Sequence, residues 1–181
     1  MTDRLDADDQ PGALAELTGY ELWDLTQRAG HDVAAAYGRM IDARSATARR
    51  AVAPEFLRQM RQLLALRLMA VVGDRRRAFP QRVPPAGCHG VAALWAEVFW
   101  AARARSQEDD AGVLKAADAS IRGLLALKPS DLSDRDTVRA WWERLQLVEE
   151  TFGGLEMEAQ VTVERLRAAV DPEQQVREGT Y

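Results

Sequence analysis

Apolar residues return every three or four positions along nearly the whole chain, the spacing that lines one face of a helix. No run alternates with the period of two that a half-buried strand requires. Thr18 and Glu21 have capping-box spacing, which predicts a helix starting there. Leu22, Leu25, Ala29, Val33, Ala36 and Met40 then make one stripe to about residue 43. Gly30 and Gly38 interrupt it, each about 1 kcal/mol less favourable than alanine, and Gly30 is where a break would fall. Alanine and arginine carry the helix over 44–53 until Pro54, which pushes the residue before it out of helical space and suits the first turn of a new helix.

From Phe56 to Val72 the apolar positions cover almost every side. That pattern predicts a central element buried on most faces, or one shared between subunits. Arg67 lies inside this girdle and needs either solvent or a carboxylate. Residues 73–90, with glycines at both ends and Pro80, Pro84 and Pro85 between, predict an irregular loop. Val91, Leu94, Trp95, Val98 and Phe99 resume helical spacing. Ser106 with Asp109 marks another cap, before a stripe from Val113 to Leu125 that Lys128 and Pro129 end.

Ser133 with Asp136 opens the last helix. Val138, Trp141, Leu145, Val148, Phe152, Leu155, Ala159, Thr162, Leu166 and Ala169 alternate steps of three and four, a coiled-coil-like seam. The phase passes through Gly153 and Gly154 unchanged, which favours one helix of about 37 residues over a hairpin at the glycines. The expected fold is all-α: an elongated, dimeric bundle of five or six helices with a long C-terminal helix. Residues 13–171 form the single domain, between a flexible acidic tail at 1–12 and a polar tail at 172–181.

The net charge of −4 hides an uneven distribution. Residues 1–38 carry 8 acidic and 2 basic side chains, 39–82 carry 3 and 11, and 83–181 carry 17 and 11. A basic central segment packed among acidic helices accounts for this. The alternative is an acidic partner at Arg75, Arg76, Arg77 and Arg82, and an acidic protein fits better than nucleic acid because the overall field opposes phosphate. The longest apolar run, Leu63–Val72, contains Arg67 and falls short of the ~20 residues of a membrane span, so no membrane association is expected. The acidic start lacks the pattern of a secretory signal, and one cysteine cannot make an internal disulfide; both point to the cytoplasm.

Chemistry-bearing residues are few. No glutamate has a histidine three positions on, as a di-iron bundle needs, and the two histidines, His31 and His89, have no metal-ligand spacing. No metal or cofactor is expected. Cys88 beside His89 could lower a thiol pKa, but a cysteine at a helix start is the plainer reading. Glu108, Asp109 and Asp110 sit where a helix dipole already favours carboxylates. Five tryptophans invite two uses. Trp100 and Trp142 fall off the core stripes and suit an interface. Trp95, Phe99 and Trp141, with Arg67 or Glu97 as the polar group, would line a pocket.

The segment from Glu21 to Met40 (ELWDLTQRAGHDVAAAYGRM) resembles the helix, Ala-Gly turn, recognition helix pattern of bacterial regulators such as the tetracycline-repressor-like family, with Ala29 and Gly30 at the turn and Tyr37 near the end of the second helix. The resemblance implies DNA binding through His31, Asp32, Ala34, Ala35 and Arg39, of which only Arg39 suits phosphate or a base edge. Three functions follow in order: a non-catalytic interaction or scaffold protein acting as a homodimer, a helix-turn-helix regulator, and a ligand-binding or enzymatic bundle.

Overall fold

The computed structural model describes residues 19–78, 91–103 and 108–170. They form five α-helices in an elongated bundle: α1 (Gly19–Asp42), α2 (Ala46–Ala78), α3 (Val91–Arg103), α4 (Glu108–Ala126) and the long α5 (Arg135–Val170), with a 3-10 turn at Pro129–Leu132. Both tails, Thr18, Arg82, Cys88, His89 and Ser106 lie outside the described residues.

Two expected breaks are absent. α1 runs unbroken through Gly30. The stripe explains why: Ala29, Val33, Ala36 and Met40 are all buried, and their burial outweighs the roughly 1 kcal/mol a mid-helix glycine costs. α2 likewise passes through Pro54 rather than restarting there. Proline removes one N–H, the one that would have reached the Arg50 carbonyl, and both residues are on the exposed side where water can take its place. Ala53 and Phe56, fully buried on either side, hold the helix in register.

α2 also continues to Ala78, so the irregular segment expected from Gly73 does not begin there. Buried Val71 and Val72 carry the helix up to Gly73, and Arg75, Arg76 and Arg77 are good helix formers whose charge suits a helix C-terminus. Residues 79–90 lie outside the described residues.

α2 is the central element, with α1, α3, α5 and the 3-10 turn packed around it. Leu66 and Leu68, which point to different sides of α2, are both fully buried within one chain. The all-round apolar pattern is therefore satisfied by neighbouring helices, and a second subunit is not needed to explain it. The α5 seam is spent in the same way: Val138, Leu145, Val148, Phe152 and Ala159 are fully buried, and α5 packs on α2, α4 and α1.

α5 is one helix of 36 residues that passes through Gly153 and Gly154. Its cap is Asp134, one residue after the Ser133 expected from spacing. The Asp134 carboxylate accepts from the Thr137 backbone N–H at 2.9 Å and the Thr137 hydroxyl at 3.1 Å. These bonds hold its carboxyl below the usual aspartate range.

Cross-links fix the helix directions. Arg49 Nε donates to the Ser133 carbonyl at 2.9 Å, and the same guanidinium donates to the Ala43 carbonyl, tying the α1–α2 corner to the start of α5. Further along, Arg67 meets Glu149 at 3.5 Å and Glu156 at 3.8 Å, so α2 and α5 run in the same direction. α1 runs against both, and Tyr37 stacks on Trp142 with ring centroids 4.3 Å apart and planes 12° apart. α4 returns antiparallel to α5, and Arg61 reaches the Leu125 carbonyl at its end.

The glycines give a test of sign. A Cβ built on Gly30 or Gly153 meets nothing within 4 Å, whereas one on Gly123 would come within 2.6 Å of the Trp141 ring. Gly30→Ala and Gly153→Ala should each stabilise the fold by about 0.5–1 kcal/mol, and Gly123→Ala should destabilise it by about 1 kcal/mol or more. Urea titration of the three variants checks this, and a loss at Gly30 would restore a turn at that position.

Candidate functional site

The unbroken α1 removes the helix-turn-helix reading. Ala29 and Gly30 are successive residues of one helix, Ala29 is buried against α2, and there is no separate recognition helix to place in a groove. Arg39 instead lies 4.0 Å from Glu55.

Of the five residues expected to line a pocket, Trp95 and Phe99 are in ring contact. Trp95 is buried, donates its indole N–H to the Asp118 carboxylate at 2.9 Å, and packs against Phe99 and Phe152 at centroid distances of 5.8 and 5.7 Å. Asp118 is held in turn by Arg122 at 3.0 Å. Trp141 sits over Gly123 with the Arg144 guanidinium 4.3 Å from its ring. Since Phe152 and Trp141 are eleven positions apart on α5, the two aromatic centres are separated by roughly 16 Å of helix. Trp95 and Phe99 share a cluster that Trp141 does not reach. The Glu97 side chain lies outside the described residues.

Arg67 lies at the α2–α5 contact between Glu149 and Glu156, with all three side chains partly buried. Burial pushes the Glu149 carboxyl above the ordinary glutamate range, and the Arg67 charge and hydrogen bond oppose the shift without cancelling it. The carboxylate demand of a girdled arginine is met here by two residues more than eighty positions away. Neither spacing nor composition could have named them.

Of the residues considered for partner binding, Trp142 is half-buried and already stacked on Tyr37. Trp100 is 65% exposed and touches Phe99 edge-on at 5.6 Å. Arg75, Arg76 and Arg77 close α2, and their side chains lie outside the described residues.

Several large apolar residues outside the core stripes are exposed. Tyr20 and Trp23 on α1 are 76% and 58% exposed, with rings 6.2 Å apart, and Met157 on α5 is 67% exposed. Leu147 and Val161 on α5 and Val113 on α4 are also open to solvent. Their spacing marks them: Tyr20 and Trp23 fall off the Leu22–Leu25–Ala29 stripe, and Leu147, Met157 and Val161 fall off the α5 seam.

Among the described residues no group of three or more histidine, cysteine or acidic side chains could hold a metal ion, and no helix is long and apolar enough to cross a membrane. His31 is exposed on α1, and the side chains of Glu108, Asp109 and Asp110 lie outside the described residues. No protein-family model matches the chain, and no curated protein or solved structure matches it either.

Proposed function

We propose that the chain is a non-catalytic helical interaction protein of the cytoplasm that works through self-association and a partner-binding surface. The observation that carries this reading is the set of large apolar side chains left open on α1, α3 and α5, above all the paired rings of Tyr20 and Trp23. Exposed apolar residues scattered singly need no explanation, but aromatic residues gathered in the open mark contact surfaces. The all-α fold and the use of Trp95, Trp141 and Trp142 in packing between helices are consistent with a scaffold. The basic end of α2 adds a place for an acidic protein partner, reached by salt-sensitive association.

Light scattering coupled to size exclusion tests self-association, with a mass above the 20.1 kDa of one chain at tens of micromolar that falls on dilution. A mass of one chain at every concentration would overturn it. For a partner recovered with the native protein, Tyr20→Ser with Trp23→Ser should weaken capture at unchanged thermal stability, and unchanged capture would remove those rings from the surface.

A further inference from the structure

α5 carries a second heptad line besides its core seam. Ala140, Leu147, Gly154 and Val161 recur every seven residues, and all four are exposed. Taking 100° per residue, the line lies more than 100° from the centre of the buried seam, on the outer side of the helix between the edges that α1 and α4 cover. Across three heptad repeats of a helix whose exposed positions are mainly charged, none of these four is polar. Each heptad helix needs only one seam to join a bundle, and α5 has spent one on its own chain.

We infer that this outer line is the self-association surface, occupied by α5 of a second copy lying parallel to the first about a two-fold axis. The inference rests on the self-association proposed above and names its surface and geometry.

The flanking charges choose the partner and its direction. In a parallel two-fold pair each residue of the line meets its own copy, and the flank on one side faces the opposite flank of the partner helix. Glu143 then lies across from Arg144 of the second copy, and the reverse, with Glu150 across from Thr151. Arg144 is already held on the flank by its own Trp141. An antiparallel pair crossing at Gly154 would set positions 143 and 144 level with 164 and 165, which are also glutamate and arginine. In that arrangement glutamate meets glutamate and arginine meets arginine. Gly154 has open space around it, so two backbones can approach closely at the middle of the line. A seam of four small or medium apolar residues is short beside a standard interface of ~800 Å² per partner, which predicts a dimer that dissociates at micromolar concentrations.

Single cysteines in a Cys88→Ser full-length chain test this. Leu147→Cys, Gly154→Cys and Val161→Cys should each give a disulfide-linked dimer on mild oxidation, while Ala119→Cys on the exposed side of α4 should not. Leu147→Glu with Val161→Glu should leave a single-chain mass by light scattering with helical circular dichroism unchanged. Cross-linking at 154 but not at 147 or 161 would overturn the parallel direction. A dimeric mass with no cross-link at any of the three would overturn the surface while leaving self-association intact, and a single-chain mass at all concentrations would overturn both.

Discussion

Phe152→Ala should lower the unfolding free energy by about 3–5 kcal/mol, the largest loss expected from any single truncation on α5. Phe152 is fully buried midway along that helix, with its ring 5.7 Å from the ring of Trp95. The size of the loss depends on how far the neighbours can collapse into the cavity. Trp95 cannot follow freely, because its indole N–H is tied to Asp118, itself fixed by Arg122. The cavity therefore stays open and the cost falls in the upper part of the range. Glu150→Ala, two residues away on the exposed side, should cost less than about 0.5 kcal/mol. Urea denaturation of the two variants checks the contrast, and similar losses at both would mean that α5 buries a different face.

How much of this was readable depends on whether the deciding interaction is local. The α5 seam was legible because its apolar phase survives Gly153 and Gly154, and the buried positions are those the spacing picks out. The cap slipped by one residue because Ser133 and Asp134 are both capping types. Asp134 takes the role since one carboxylate can accept from the Thr137 N–H and hydroxyl together. Local propensity alone marks Gly30, Pro54 and Gly73 as boundaries. Each stands in a helix whose neighbouring residues are buried, and that packing outweighs a local cost of about 1–3 kcal/mol.

The central helix could be read as all-round apolar, but not as covered by its own chain. Only the packing of α1, α3 and α5 around it decides between a core and an interface. The same limit hid the charges. Glu149 reads as an exposed neighbour of the seam, yet it is partly buried against Arg67 of α2, and an ion pair between helices so far apart in sequence leaves no mark in spacing.

That ion pair supplies the second large effect. Arg67→Met keeps the apolar stem along α2 and removes the guanidinium, leaving Glu149 partly buried without its countercharge. Burial already raises the Glu149 carboxyl above its ordinary value of 4.5 with Arg67 in place, and removing Arg67 takes away the charge and hydrogen bond that oppose that shift. A carboxyl whose folded pKa is raised contributes stability that is fully present below the unfolded pKa and lost as pH rises through the folded one. The variant should therefore lie close to the native protein near pH 4 and fall behind as pH increases. At pH 7 the gap should be about 1–3 kcal/mol, below the full cost of breaking a deeply buried pair because all the groups keep some contact with water. Glu149→Gln removes the titrating carboxyl, so adding it to Arg67→Met should recover part of the loss at pH 7 and flatten the slope. Urea midpoints between pH 4 and pH 8 decide the matter: a gap of constant size across that range would show that Arg67 contributes through its packing and not through its charge.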